Sequence, residues 1–202
     1  MKLYYSPGAC SLASHIVAEE AGIALQLEKV DLGAKRTEGG ADFWQINPKG
    51  YVPALALDDG EVLTEGTAVV QYLADQRPAG HLAPAHGTLG RYRLQEWLGY
   101  INSEIHKSYS PLFNPATSDA TRAERKDYLA RRYQIIEAAL AKQPFLLGEQ
   151  FSVADAYLFT VTNWAAHVGL DLSGFPALQA FQVRVAARPA VQAAMKAEGL
   201  LK

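Results

Sequence analysis

A chain of 202 residues with one cysteine cannot close an internal disulfide, so packing rather than cross-linking must hold it together. The same scarcity suits a reducing, cytoplasmic setting, where a lone thiol is either a small buried hydrophobe or a chemical group. Charge of one sign is also lacking. Nineteen Lys and Arg against 21 Asp and Glu leave a net charge of −2, with no basic run, so neither nucleic acid nor an anionic membrane is expected as a partner. Long apolar runs are missing. The most apolar helical segment, Tyr157 to Leu170, is broken by Asn163 and His167 and is too short to span a bilayer. The opening Met1-Lys2-Leu3-Tyr4-Tyr5 breaks at Ser6-Pro7-Gly8, so no export signal is expected. His15, His81, His86 and His167 show no ligand spacing and no thiol cluster accompanies them, so no metal site is expected. No repeat or low-complexity tract appears.

What is present is an ordinary globular composition, 49% hydrophobic and 20% charged, whose periodicity changes along the chain. Lys2 to Tyr5 suits a strand, Ser6-Pro7-Gly8 a turn, and Ser11 to Ala21 a helix with Leu12, Ile16 and Val17 on one face and Gly22 as its stop. Leu25, Leu27 and Val30 to Leu32 suit a second strand, and Asp42 to Ile46 a short helix ending before Asn47-Pro48. Ala54 to Leu57, the turn Asp58-Asp59-Gly60 and Val62-Leu63 read as a hairpin, followed by a helix from Gly66 to Gln76. The predicted order is βαβαββα over residues 1–80. Residues 81–87 lie in a Pro- and Gly-rich stretch typical of a linker, and 88–202 is predicted to be an all-helical bundle. Its stripes are Leu94, Trp97 or Leu98, Ile101 and Ile105; Leu129, Tyr133, Ile136 and Leu140; and Tyr157, Val161, Trp164 and Val168. Pro176 and Pro189 suit first helical positions.

Several side chains invite a chemical reading. Cys10 follows a turn and opens a helix, where unpaired N–H groups and the helix dipole favour a thiolate or a bound sulfur anion; a buried hydrophobe is the equal alternative. Pro53, after Val52, suits the start of a strand. Glu65-Gly66 begins a helix, where the carboxylate complements the dipole or helps hold a zwitterionic ligand. Gly99, Asn102, Ser103 and His106 fall at i, i+3, i+4 and i+7 of a helix predicted from Thr88 to about Tyr109. They form a second face that a core does not require. Leu112 and Phe113 serve either as a pocket wall or as packing. Ser152 and Asp155 are read as structural, an N-cap and a variant capping box with Phe151 as staple.

Taken in order, Tyr4-Tyr5-Ser6-Pro7-Gly8-Ala9-Cys10-Ser11-Leu12, Asn47-Pro48-Lys49-Gly50-Tyr51-Val52-Pro53-Ala54-Leu55, Leu63-Thr64-Glu65-Gly66 and Ser103-Glu104-Ile105-His106-Lys107 resemble bacterial β-class glutathione transferases over essentially the whole chain. The resemblance implies a thioredoxin-like α+β first domain, an all-helical second domain, a homodimer and a cytoplasmic role in detoxification, with glutathione as co-substrate and no metal. It further implies a cis Pro53, with the Val52 backbone pairing the cysteinyl part of glutathione. Glu65 and Gly66 would hold its γ-glutamyl end, and Lys35 its glycyl carboxylate. Cys10 and His106 would flank the sulfur as the catalytic pair; Ala9, Tyr51, Ser103, Glu104 and Lys107 complete the implied contacts. Gly99 stands where better-known members carry Asn, which implies one lost hydrogen bond. The implied activity is conjugation of the glutathione thiol to small hydrophobic electrophiles. The alternatives are thiol-disulfide exchange or peroxidase chemistry through a Cys10 mixed disulfide, and a non-catalytic binding protein.

Overall fold

A computed structural model describes residues 1–201 and divides the chain into two compact units, one of residues 1–83 together with 187 onwards, the other of residues 84–186. In the first unit, β1 (Lys2–Tyr5), β2 (Gln26–Asp31), β3 (Arg36–Thr37), β4 (Ala54–Ala56) and β5 (Val62–Thr64) form one sheet in the order β3-β2-β1-β4-β5. Leu3 pairs in parallel with Leu27 and antiparallel with Leu55, which makes β1 the central strand. A parallel pair needs a crossover. Helix α1 (Ser11–Glu20) supplies it, and Gly22, at φ +63°, turns the chain back where the sequence places a stop. Beneath the sheet, Val30, Phe43, Val52 and Ala54 form one cluster with Tyr4, Ala9, Leu32 and Ile46 against it. Phe43 opens the short α2 (Phe43–Ile46), capped by Asp42, and is fully buried. Its truncation to Ala would cost about 3–5 kcal/mol and loosen the floor under two loops that matter below.

Two features of the first unit depart from expectation. The strand β3 is absent from the predicted order because two residues carry no periodicity; only pairing with Val30 and Asp31 defines it. The unit boundary also differs. Helix α10 (Pro189–Ala197) leaves the expected 88–202 bundle and packs on α1, burying Val191 and Ala194, while Arg188 grips Glu20 with two hydrogen bonds of 2.5 and 2.7 Å. This explains why α1 is buried from Ser11 to Ala18 rather than along one stripe: α3 (Gly66–Asp75) and α10 both contact it.

The second unit is helical: α4 (Leu89–Tyr100), α5 (Lys107–Phe113), α6 (Asp119–Leu140), α7 (Val153–Thr162), α8 (Trp164–Val168) and α9 (Pro176–Ala186). The predicted stripes are buried at Leu94, Leu98, Ile101 and Ile105, at Leu129, Tyr133, Ile136 and Leu140, and at Tyr157, Val161 and Trp164, whereas Val168 is only half-buried because the helix breaks at Asn163 into α7 and α8. A chain of hydroxyls crosses the core, from Tyr109 to Tyr133 at 2.9 Å and from Tyr133 to Thr162 at 3.2 Å. Burial pushes the Tyr133 phenol up to about 12 and raises Tyr109 further, so both stay uncharged. One predicted helix is interrupted. Between α4 and α5, residues Ile101–His106 form a π-helical segment, a widened turn absent from the 3.6-residue reading of Thr88 to Tyr109. Among the described residues, no helix is long and apolar enough to cross a membrane.

Candidate active site

In the first unit the thiol is built from the turn upward. Gly8 takes φ +70°, Ala9 N–H closes the turn onto the Ser6 carbonyl at 3.0 Å, and Ser11 Oγ bonds both the N–H and the carbonyl of Ser6. Cys10 is thereby held as the residue before α1, half-buried, its Sγ donating to the Val52 carbonyl at 3.1 Å. That carbonyl precedes Pro53, and the Val52–Pro53 peptide is cis. The loop leading there is organised by Asn47, whose side chain donates to the Tyr51 carbonyl at 2.7 Å and accepts from Lys49 N–H at 3.1 Å.

Gly50 is required in this loop. It sits at φ +68°, and a Cβ would lie 2.6 Å from the Trp44 ring. Its carbonyl accepts from Lys35 Nζ at 2.8 Å, and that ammonium stands over the rings of Trp44 and Tyr51, 5.5 and 5.3 Å from their centroids. Tyr51 itself is 66% exposed. On the other side, the Gly66 Cα faces the Pro53 ring, with an added Cβ 3.8 Å away. Glu65 does not cap α3 with its side chain; instead Oε1 accepts from Lys49 Nζ at 2.8 Å, and Lys49 also reaches Thr64 Oγ1 at 2.9 Å. The backbone points the same way, because Lys35 and Glu65 adopt φ of +55° and +71°, a region costly for side-chain-bearing residues and concentrated at functional positions.

Two residues here escaped the sequence reading. Glu198, at the end of α10, has a fully buried side chain; its Oε2 accepts from Gly8 N–H at 2.9 Å and its Oε1 meets His15 Nδ1 at 3.0 Å. His15 reads as uninformative in sequence because its partner lies 183 residues away. Together they tie α10 to the turn that carries the thiol.

In the second unit the π-helical segment rearranges the predicted polar face. Asn102 and His106 converge on one hydroxyl: Tyr157 Oη lies 2.5 Å from His106 Nδ1 and donates to Asn102 Oδ1 at 3.0 Å. Gly99 and Ser103 instead pair with each other on an exposed surface, Ser103 Oγ donating to the Gly99 carbonyl at 3.0 Å. The His106 ring is set edge-on to Trp164 at 5.0 Å and Tyr157 at 5.7 Å. Phe113, half-exposed, also meets Trp164 edge-on at 5.6 Å, whereas Leu112 is buried packing. Glu104 is engaged by the Tyr128 hydroxyl and by Arg132 Nε at 2.8 Å, and Lys107 opens α5 as an exposed side chain.

The capping reading at the start of α7 holds, with an addition. Asp155 Oδ2 accepts from both the N–H and the Oγ of Ser152, at 2.8 and 2.7 Å, and Oδ1 accepts from Leu146 N–H at 2.8 Å. The side chain is fully buried, and desolvation raises it to about 6 against those hydrogen bonds.

Comparison with known proteins completes this picture. Models of the glutathione S-transferase N-terminal and C-terminal domains match residues 8–76 and 100–189. Glutathione S-transferase GstA of Escherichia coli O157:H7 is 48% identical over 99% of this chain and 100% of its own. A sphingomonad glutathione S-transferase complexed with glutathione superposes with a TM-score of 0.96 at 50% identity, covering 100% of both chains. The bacterial β-class enzyme of Sphingomonas chungbukensis gives 0.96 at 48%, again over 100% of both. On the likeness of both units along their whole length, the chain belongs to the glutathione S-transferases, in the company of the bacterial β-class members.

Proposed function

We propose that this chain conjugates the thiol of glutathione to small hydrophobic electrophiles, with Cys10 and His106 polarising the sulfur. The observation that carries the reading is the Cys10 turn beside the Val52 carbonyl and Pro53, set in a fold superposable on an enzyme that holds glutathione. In this scheme the Val52 backbone pairs the cysteinyl unit and Glu65 with the Gly66 N–H receives the γ-glutamyl end. Lys35, steadied by Gly50 and flanked by Tyr51, receives the glycyl carboxylate. Ala9 lines the sulfur end, and Gly99, Ser103, Glu104 and Lys107 contribute from the helical unit. A crystal soaked in glutathione with the tripeptide lodged elsewhere would end this assignment.

Thiolate stabilisation alone accounts for little of the rate. Lowering the thiol pKa of glutathione by about 2 from roughly 8.5 raises the ionised fraction at neutral pH about 25-fold. A Brønsted slope near 0.45 returns about an 8-fold loss of nucleophilicity, leaving a net gain of about 3-fold. Most acceleration must come from holding sulfur against the electrophile away from water. Phe113 and Trp164 offer an aromatic wall suited to an apolar acceptor. A turnover panel with a chlorodinitroaromatic, an organic hydroperoxide and a mixed disulfide tests the reading; conjugation of the first at saturating glutathione supports it, and its absence refutes it.

Cys10 favours a second activity. Half-buried at the start of α1, its thiolate can attack oxidised glutathione, forming a protein–glutathione disulfide and releasing one glutathione thiolate. Mass spectrometry after incubation with oxidised glutathione should show one adduct on Cys10. We further propose a cytoplasmic homodimer acting in detoxification. Leu89 and Tyr92, 71% and 61% exposed on α4, suit a surface covered by a second copy, and sedimentation would reveal the dimer.

A further inference from the structure

We infer that Tyr157 and Asn102 fix the proton of His106, making them positioning residues for the reaction proposed above, an inference that rests on His106 acting at the glutathione sulfur. The argument is a count of hydrogens. A phenol has one proton to give, and a side-chain amide oxygen can only accept. Tyr157 Oη lies between two partners, Asn102 Oδ1 at 3.0 Å and His106 Nδ1 at 2.5 Å. If the phenol proton goes to Asn102, the oxygen faces Nδ1 with a lone pair, and Nδ1 must carry the ring proton. A neutral imidazole holds one such proton, so Nε2 keeps its lone pair. The ring is then a proton acceptor at Nε2: the glutathione S–H proton moves to Nε2, the electron pair stays on sulfur, and an imidazolium bonded at Nδ1 to Tyr157 remains.

The backbone supports this arrangement. Asn102 and His106 both lie in the π-helical segment, whose wider turn brings the amide and the ring to the same hydroxyl on α7. Tyr157 is only 3% exposed, and Trp164 closes on the ring edge-on at 5.0 Å, so neither partner is easily replaced by solvent. A π-bulge gives up regular helix hydrogen bonding and recurs at functional sites; here its return is a histidine with a defined tautomer.

Nitrogen-15 NMR of the imidazoles in the full chain, with His106→Gln identifying the signal, reads the tautomer directly. The wild type should show His106 protonated at Nδ1, and Tyr157→Phe and Asn102→Ala should each shift the population towards Nε2–H. Each variant should lower kcat about three- to tenfold, the range of one lost hydrogen bond, while leaving KM for glutathione within about twofold. The losses should not add in the double variant, because both act through one proton. Asn102→Ala leaves the Tyr157 packing intact, so it separates positioning from damage to the core. An Nε2–H tautomer in the wild type, or unchanged kcat in both variants while His106→Gln is impaired, overturns the inference. Unchanged turnover in His106→Gln with the Nδ1–H tautomer present refutes instead the role of His106 in the reaction, and the positioning role with it.

Discussion

Replacing Glu198 tests how far the end of the chain controls the thiol. Its carboxylate, with no exposed side-chain surface, serves Gly8 N–H at 2.9 Å and His15 Nδ1 at 3.0 Å. Glu198→Ala removes the acceptor of the part-buried Gly8 N–H and the partner of the buried His15, each loss costing about 1–3 kcal/mol, so about 2–6 kcal/mol is expected in all. Glu198→Gln keeps an oxygen for Gly8 N–H and turns its amide N–H₂ to His15, which can accept by placing its own proton on Nε2. The charge-assisted bond becomes a neutral one, at a cost of about 0.5–1.5 kcal/mol. In urea, with a slope of about 2 kcal/mol/M, the Ala variant should lose about 1–3 M in midpoint and the Gln variant under 1 M. Because Gly8 lies two residues from Cys10, KM for glutathione should rise severalfold in the Ala variant and little in the Gln variant. Equal damage from the two substitutions, or an unchanged midpoint in Glu198→Ala, would refute the hydrogen-bond argument.

Other consequences follow from the same geometry. Asp155 has a folded value of about 6, above its ordinary 3.8, so its stabilising contribution is complete below about pH 3.8 and is lost as pH rises through 6. Asp155→Asn does not titrate, and the amide confronts donors from Ser152; the variant should be less stable at pH 7, and its stability deficit should widen by about 1 kcal/mol at pH 5 and by about 3 kcal/mol at most below pH 3.8. A deficit that narrows on acidification would count against it. Gly50→Ala drives a methyl into Trp44 at a positive φ and should cost about 1–3 kcal/mol by urea titration, while raising KM for glutathione as the Lys35 platform shifts. Lys35→Gln should raise that KM about tenfold with kcat retained, and the gap should shrink in high salt, as for a lost charge-assisted contact. An unchanged KM would remove Lys35 from the site.

Much of this architecture is legible locally. The Ser6-Pro7-Gly8 turn, the stop at Gly22, the hairpin at Asp58-Asp59-Gly60 and the capping box at Ser152 each depend on neighbours a few residues away, and each lies where the sequence places it. What escaped depends on distant partners. Strand β3 exists through pairing with β2, the π-helical segment is fixed where His106 meets Tyr157 on another helix, and Glu198 reaches Gly8 across 190 residues. Glu65 illustrates a middle case: its position before α3 suggested the helix dipole, but the side chain pairs with Lys49, a residue whose loop geometry no spacing announces. The family resemblance named Cys10, Val52, Pro53 and His106, while the packing behind them had to be seen in three dimensions.

The docking of α10 on α1 makes the first unit discontinuous: residues 1–83 hold the sheet and the cysteine, but the brace for Gly8 is contributed by residue 198. A growing polypeptide therefore cannot finish the Gly8 turn until residue 198 has been synthesised, and a fragment of residues 1–83 would carry every strand of the sheet yet lack the carboxylate that braces Gly8.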